Sequence, residues 1–352
     1  MNLKKIINTV KRKAFRNLTG SFKNKIDVTI NNNDSIKRIL ICRPNHNLGN
    51  LLLLSPLVQE LESTFPNSKI DLLVKKSCTN QLYQNYDNVS EVIQLPRQPF
   101  KGIINYIKTY LQLRNKKYDL AINAIMESSS GRLFTSISNA RIKFLGDIDS
   151  TKNEIHNTKR AIYSLREFLS NIGVKANDAV PANLDLRLAN DELINGGGLV
   201  YDLVQNSQLT ICLYTRTADI KYFTETWWFN LYEHLQKAFP EVNIIEVLTK
   251  ENASKIGFRA PALYSKNIRE LAAMIASTDV FIGADSGVLQ LASSSLTPTI
   301  GLFSVTDMEK YETYNEDSVA VNTNEVEIDE LIVLVKNTLY PNQNISTYRV
   351  GV

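Results

Sequence analysis

The sequence is poor in the residues that build metal centres and disulfide frameworks. It contains three cysteines and three histidines, and no CxxC or HxxH pair of the kind that zinc sites use. The cysteines lie in or near apolar segments, at Cys42, Cys78 and Cys212. This placement is typical of reduced, buried thiols in a cytoplasmic protein. We therefore expect no structural zinc.

Long hydrophobic runs and glycine-rich nucleotide motifs are missing as well. No stretch approaches the roughly 18 consecutive apolar residues of a membrane-spanning helix. The loop at residues 43–50, RPNHNLGN, joins the first predicted strand to the first predicted helix, which is expected over residues 51–65. It contains neither the Gly-Lys-Ser/Thr of a P-loop nor a GxGxxG pattern. These absences argue against a membrane span, a P-loop nucleotidase and a hydride-transfer dehydrogenase.

Positive charge is concentrated at the N-terminus. Eight lysines and arginines precede the first acidic residue, Asp27, although the net charge of the whole chain is only +4. Apolar residues recur among them at helical spacing, which is the pattern of a basic amphipathic helix on an anionic membrane surface. The alternative is a solvated basic terminus. Because the rest of the chain is net acidic, we expect no nucleic acid partner.

The sequence does contain a repeated alternation of strand, loop and helix. At 352 residues the chain exceeds what one hydrophobic core usually serves, which favours two domains. The alternation predicts an α/β protein with two Rossmann-like, doubly wound domains facing a central cleft. The predicted strands are 38–42, 70–74, 91–95, 120–125, 141–145, 209–214, 243–248, 280–282 and 299–303.

The predicted boundaries follow changes in composition, above all at Gly196-Gly197-Gly198. A glycine triplet in a polar stretch is typical of a connection between domains. We predict an N-terminal arm over residues 1–35, a first domain over 36–188, a linker over 189–206, a second domain over 207–325, and a final helix over 326–345 that could return to the first domain.

The most informative segment is residues 279–306, DVFIGADSGVLQLASSSLTPTIGLFSVT. A buried strand is broken by a polar turn and followed by a helix of small residues and a second strand. Asp285 or Ser286 can cap the helix that begins near Gly287, and the backbone N–H groups of its first turn can bind an anion such as a diphosphate. The alternative is an ordinary strand-to-helix junction without a ligand.

A second polar loop, residues 214–221, follows the first strand of the second half. Thr215 can donate its hydroxyl to a phosphate, and Arg216 and Lys221 can offset the charge of a departing nucleoside diphosphate. Because the carboxyl ends of parallel strands share one edge of a sheet, this loop and the turn at residues 283–287 could bracket a single diphosphate. The alternative is a solvated loop.

Two further groups of charged residues are weaker candidates. Asp147 and Asp149 have the spacing of a metal-chelating pair, but they follow a strand that ends in glycine, and a simple turn is favoured. We expect neither a metal ion nor a cofactor. Arg132, Arg141 and Lys143 could meet a phosphorylated acceptor near the strand ends of the first domain, although a solvated surface is favoured.

Taken together, these loops resemble glycosyltransferase family 9, the lipopolysaccharide heptosyltransferase family with the two-domain GT-B fold. The resemblance extends over about residues 38–314 and rests on ILICRPNHNLGNLLLLSPLVQEL, FPNSKIDLLV and FIGADSGVLQLASSSLTPTIGLFSVTD, with a shorter match at residues 215–228. It implies an inverting, metal-independent transfer of a sugar, typically a heptose from ADP-heptose, to a lipid-linked surface glycan such as the lipopolysaccharide core.

The resemblance also implies partners, a location and site residues. The first domain would bind the acceptor and the second the nucleotide-sugar donor. The enzyme would be cytoplasmic and attached to the inner face of the cytoplasmic membrane through the basic arm. The residues at donor-binding positions of the family are Thr215, Lys221, Asp285, Ser286 and Gly287.

Two positions depart from the family pattern. The aspartate that is thought to deprotonate the acceptor is replaced by Asn50, whose amide cannot take a proton near neutral pH. His46 and Glu127 are alternative bases. Without a base, the reaction would depend on stabilising the leaving group at Lys221 and at the start of the helix near Gly287. A third possibility is that the chain is a catalytically silent protein that binds nucleotide sugars or glycans. Gln290 stands where the family often has histidine, which leaves the donor open.

Overall fold

The computed structural model of the chain consists of two compact α/β units. They comprise Met1–Ala182 and Asn183–Val352, and each contains a six-stranded sheet. The structure describes residues 17, 19–27, 35–45, 47–75, 78–96, 103–125, 127–146, 156–175, 177–216, 223–248, 253–305, 308–312 and 314–341.

The first unit is a mostly parallel sheet with helices in the connections. Its strands are β1 (Lys25–Ile26), β2 (Arg38–Cys42), β3 (Lys69–Val74), β4 (Val89–Gln94), β5 (Tyr118–Asn123) and β6 (Ala140–Phe144). Its helices are α1 (Leu48–Leu52), α2 (Ser55–Thr64), α3 (Thr79–Leu82), α4 (Ile103–Asn115), α5 (Ser129–Ile137) and α6 (Asn157–Asn171). The strand order is β1-β6-β5-β2-β3-β4, and only β1 runs antiparallel to its neighbour.

The central strand β2 shows why the apolar runs become strands. The side chains of Ile39, Leu40, Ile41 and Cys42 are all fully buried, on both faces of the sheet. Parallel strands covered on both faces are continuous apolar runs of this kind. Burial also raises the pKa of the Cys42 thiol to about 12, which keeps it protonated.

The single helix predicted over residues 51–65 is two helices in the structure. Pro56 stands at the start of α2, and proline cannot donate the backbone hydrogen bond that would continue α1. The Ser55 hydroxyl instead donates to the Leu52 carbonyl at 3.0 Å. The proline therefore divides the predicted helix.

The N-terminal arm predicted over residues 1–35 is in part a component of the first unit. Strand β1 pairs with β6, with Lys25 opposite Lys143. The buried guanidinium of Arg132 donates to the carbonyls of Thr19 and Phe22, and also to Leu145 at 2.8 Å. The segment at residues 19–26 is thus held in place, whereas residues 1–16, with most of the basic residues, lie outside the described part.

The second unit has a wholly parallel sheet. Its strands are β7 (Thr210–Tyr214), β8 (Asn243–Leu248), β9 (Ala262–Tyr264), β10 (Val280–Ala284), β11 (Thr299–Phe303) and β12 (Val319–Asn322), in the order β12-β11-β10-β7-β8-β9. Its helices are α7 (Asn190–Val204), α8 (Glu225–Ala238), α9 (Ile268–Ala276), α10 (Gly287–Ser294), α11 (Met308–Tyr311) and α12 (Ile328–Leu339).

The linker predicted over residues 189–206 is helix α7. A Cβ atom on Gly196 would lie 2.4 Å from the backbone carbon of Ala273, so glycine lets α7 approach α9 closely. The two helices are also joined by Arg269, which donates to both carboxylate oxygens of Glu192 at 2.5 and 2.6 Å. The glycine signal therefore marks a helix contact, and the residues predicted as a linker form a helix of the second unit.

The final helix packs within the second unit instead of returning to the first. Leu331, Val335 and Leu339 on α12 are buried in the same core as Ile211 of β7 and Trp228 of α8. Three strands, β1, β9 and β12, were not predicted from the sequence. Each has only two to four residues, too few to show a periodic pattern.

Candidate functional site

The two loops predicted to share a site begin side by side in the second unit. Strands β7 and β10 are parallel neighbours, and Gly283 pairs with Tyr214 in their register. The residues that follow each strand, Thr215 and Asp285, therefore emerge at the same carboxyl edge of the sheet. Open α/β folds bind ligands at this edge.

The turn after β10 ends in a capped helix. The hydroxyl of Ser286 accepts a hydrogen bond from the Leu289 amide at 3.1 Å, and the Gln290 amide bonds the Ser286 carbonyl. Ser286, and not Asp285, is thus the cap of α10. The amides of Gly287 and Val288 precede these two in the first turn, where the positive end of the helix dipole favours an anion.

Gln290 is almost fully buried one helical turn after the cap. Its side-chain nitrogen donates to the Tyr311 carbonyl at 3.3 Å, while its side-chain oxygen has no hydrogen-bond partner among the described residues. The residue therefore joins α10 to α11 and carries an unsatisfied acceptor beneath the candidate site.

Thr215 does not present its hydroxyl as the sequence analysis expected. The side chain is buried, and the hydroxyl donates to a carboxylate oxygen of Glu246 at 2.5 Å while accepting from the Lys255 amide at 3.1 Å. Because the hydroxyl proton is directed at Glu246, it is not available to a phosphate in this arrangement. Thr215 instead fixes the end of β7 to the loop at residues 253–256.

Glu246 was missed by the sequence analysis. It lies in β8, is fully buried, and its second carboxylate oxygen has no hydrogen-bond partner in the described part of the chain. Burial raises the pKa of this carboxyl above its ordinary value, against the opposing effect of Ser254 and Thr215. The available signal was one acidic residue inside the apolar strand NIIEVL.

The cations predicted to stabilise the leaving group are only partly described. Arg216 lies half-buried immediately after Thr215, at the same sheet edge as the cap of α10. Lys221 lies outside the described residues, as does His46 in the first unit. Their roles remain predictions.

In the first unit, Asn50 is held by an arginine. The Nε of Arg43 donates to the Asn50 carbonyl at 3.1 Å, and a terminal nitrogen donates to the side-chain oxygen of Asn50 at 3.0 Å. Arg43 is nine-tenths buried, which fixes this geometry. The Arg43 guanidinium therefore already donates a hydrogen bond at the position where an aspartate would place a carboxylate oxygen.

The other described candidate base, Glu127, is in an ion pair. Its carboxylate accepts from Arg160 of α6 at 2.9 Å, and the Glu127 side chain is 45% exposed. The carboxylate is therefore reachable from solvent but faces a guanidinium.

The basic side chains suggested as acceptor contacts have structural partners. Besides Arg132, which holds the arm, Arg141 forms an ion pair with Asp119 at 2.6 Å. The ammonium of Lys143 donates to the Ser136 carbonyl at 2.6 Å, and burial lowers its pKa. Arg141 is nevertheless exposed, as the favoured solvated surface implies, whereas Arg132 is buried.

Within the described part of the chain, no cluster of three or more His, Cys, Asp or Glu side chains is arranged to hold a metal ion. Asp147 and Asp149 lie outside that part. None of the described helices has the length and hydrophobicity to cross a membrane.

Comparison with known proteins identifies the second unit. Residues 205–332 match the family model "Glycosyltransferase family 9 (heptosyltransferase)". The chain is a glycosyltransferase whose second unit is similar to this family. It is 23% identical to lipopolysaccharide heptosyltransferase 3 of Escherichia coli, over 74% of this chain and 81% of that protein.

Solved glycosyltransferases share the GT-B fold of this chain. The glycosyl transferase family 9 structure from Veillonella parvula matches with a TM-score of 0.69 at 14% identity, covering 87% of this chain and 98% of that one. E. coli WaaC with ADP gives a TM-score of 0.61 at 16% identity, covering 86% and 99%. E. coli ADP-heptose lps heptosyltransferase II gives 0.63 at 12% identity, covering 88% and 100%.

Proposed function

We propose that this glycosyltransferase moves a heptose from ADP-heptose to a lipid-linked surface glycan such as the lipopolysaccharide core, with inversion and without a metal ion. The observation that carries the proposal is the shared edge of β7 and β10, where a capped helix N-terminus stands beside Arg216. The donor is taken from the relatives, which include WaaC with ADP and an ADP-heptose heptosyltransferase.

The donor would bind with its diphosphate at the start of α10. The amides of Gly287 and Val288 would donate to the phosphate oxygens, and the helix dipole would favour their charge. Arg216 and Lys221 would offset the charge that develops as ADP leaves. Asp285 would accept hydrogen bonds from sugar hydroxyls, because a carboxylate repels a phosphate but pairs well with a hydroxyl.

The acceptor would be activated by a group other than Asn50. An amide whose oxygen is held by Arg43 cannot remove a proton. Glu127 is engaged by Arg160, so we propose that His46 takes the proton, or that stabilisation of the leaving group suffices.

The basic arm would hold the enzyme against anionic lipids at the cytoplasmic face of the membrane. Its test is vesicle sedimentation of the full chain and of a chain that lacks residues 1–16. The truncation stops there because residues 19–26 pack into the first unit. Weaker binding by the short form is expected, and equal binding by both forms would reject this role.

The donor site is tested by calorimetric titration with ADP-heptose, ADP, UDP-sugars and GDP-sugars, with and without magnesium. We expect metal-independent binding of ADP-heptose that is lost in Asp285→Ala and weakened in Ser286→Ala. Thr224→Ala is the matched control, because Thr224 caps α8 in the same unit through the Trp227 amide at 3.1 Å. Equal weakening by both cap variants would show an effect of stability alone and reject the site.

A second candidate is a catalytically silent protein that binds nucleotide sugars or glycans. The observation that favours it is the pair of hydrogen bonds that Arg43 donates to Asn50. The two candidates differ in turnover: a transferase releases ADP when an acceptor glycan is added to the bound donor, and a silent binding protein does not.

A further inference from the structure

Helix α4 presents apolar side chains on two opposite faces. Its inner face contributes Leu113, which is fully buried in the core of the first unit together with Phe134. Its outer face carries a strip of exposed apolar residues: Ile104 is 70% exposed, Ile107 52%, Leu111 50% and Tyr110 40%. A helix that is apolar on its outer face as well needs a second partner.

Cations flank this strip on both sides. With about 3.6 residues per turn, Lys108 lies on one side of Ile104 and Leu111, and Arg114 lies on the other. Both basic side chains are exposed. The outer face thus combines a central apolar strip with a positive border, which is the arrangement of helices that lie in a lipid interface.

Acidic residues are absent from this part of the chain. No aspartate or glutamate occurs between Glu91 and Asp119, whereas six lysines and arginines do. The two flanking acids are already paired: Glu91 with Lys116, and Asp119 with Arg141. Lys116 is also paired with Asp71, so the exposed positive charge beside the apolar strip is that of Lys108 and Arg114.

We propose that the outer face of α4 docks on an anionic lipid bilayer. Ile104, Ile107 and Leu111 would enter the boundary between headgroups and acyl chains, while Lys108 and Arg114 would bind lipid phosphates. The positive charge of this face determines which partner can bind to it. A second copy of the chain would place like charges against each other, whereas an anionic membrane complements them.

The topology of the first unit gives this docking a consequence. Helix α4 follows β4 and precedes β5, so its first turn lies at the carboxyl edge of the sheet. Helix α1, which carries Asn50, and the loop that carries Glu127 follow β2 and β5, so both segments begin at the same edge. A membrane bound through α4 would bring these segments close to a lipid-linked acceptor.

The test is the partitioning of the full-length protein onto phosphatidylglycerol-containing vesicles. The triple variant Ile104→Ser/Ile107→Ser/Leu111→Ser should lower the partition coefficient at least about tenfold. Lys108→Glu/Arg114→Glu should lower it on anionic vesicles and reduce its dependence on salt. The matched control replaces equally exposed apolar residues elsewhere: Val180→Ser/Ile194→Ser/Val333→Ser.

Three further measurements separate the outcomes. A fluorophore on Ile107→Cys in a Cys78→Ser background should shift to the blue when anionic vesicles are added. If the triple variant partitions onto vesicles as strongly as the wild type, the proposal is overturned and the arm alone binds the membrane. If the blue shift increases with protein concentration in the absence of vesicles, the proposal is overturned in favour of self-association. The triple variant should bind ADP-heptose as the wild type does, because α4 lies in the first unit and the candidate donor site lies in the second. A variant that loses membrane binding but keeps donor binding therefore tests this proposal independently of the proposed function.

Discussion

The hydroxyl of Thr215 donates a 2.5 Å hydrogen bond to the buried carboxyl of Glu246. This contact joins the ends of two neighbouring strands, β7 and β8, directly beneath the candidate donor site. Because the same hydroxyl accepts from the Lys255 amide, one side chain fixes three segments of the chain. The position of Arg216, the next residue, depends on this arrangement.

Removing the hydroxyl should weaken the second unit. Thr215→Val leaves Glu246 and the Lys255 amide without their partner, and an unsatisfied buried group costs about 1–3 kcal/mol. Thr215→Ser keeps the hydroxyl and should retain most of the stability. Urea unfolding of the two variants measures the difference, and equal stability would show that water replaces the lost hydroxyl.

The raised pKa of Glu246 predicts a dependence of stability on pH. Because burial raises the pKa in the folded state, the folded chain binds the proton more tightly than the unfolded chain does. This contribution to stability is fully present below the unfolded pKa of about 4.3 and is lost as the pH rises through the folded pKa. From about pH 4 upwards, Glu246→Gln should therefore gain stability relative to the wild type.

The measurement is denaturant unfolding of both proteins across that range. Glu241→Gln is the control, because Glu241 is exposed at the surface of the same unit. A constant stability difference between wild type and Glu246→Gln at all pH values would contradict the prediction.

Restoring a carboxylate at position 50 should raise turnover. In Asn50→Asp the new carboxylate would face Arg43, which favours its charged form but weakens it as a base. A positioned base contributes roughly 10²- to 10⁴-fold, so we expect a gain of at least about tenfold in kcat. Asn50→Ala should show no gain. An unchanged rate in Asn50→Asp would contradict this prediction and show that a carboxylate at position 50 cannot act as the base beside Arg43.

Two glycines of α7 should respond to alanine in opposite ways. Gly198→Ala adds a methyl group in open space and should stabilise the helix by about 0.5–1 kcal/mol. Gly196→Ala would force α7 away from Ala273 and should destabilise by about 1–3 kcal/mol. Thermal unfolding of the two variants checks the contrast, and a shift in the same direction for both would contradict the close contact of α7 with α9.

The elements predicted correctly are those whose boundaries are marked by neighbouring residues in the sequence. The strand at Val280–Ala284, its turn and helix α10 were predicted because an apolar run, a polar break and a capping serine stand in sequence. Helix α7 was missed because its glycines serve a contact with Ala273, which lies far away in the chain.

The details of the site were less accessible for the same reason. Thr215 was assigned to a ligand because its partner Glu246 lies 31 positions further along the chain. Nothing near Asn50 in the sequence showed that Arg43 would fold back onto it. Pairings of this kind depend on the register of neighbouring strands and on the path of loops, which composition and periodicity do not encode.

With both proposed membrane contacts in place, the anchoring of residues 19–26 by Arg132 would make the first unit a bivalent membrane ligand. The basic arm starts from a fixed point on the unit that also carries α4. Once either surface is bound, the other is held at a high effective concentration near the bilayer, so two weak contacts give an avidity greater than either alone. Breaking the Arg132 anchor would uncouple them and lower the residence time on vesicles while leaving both surfaces intact.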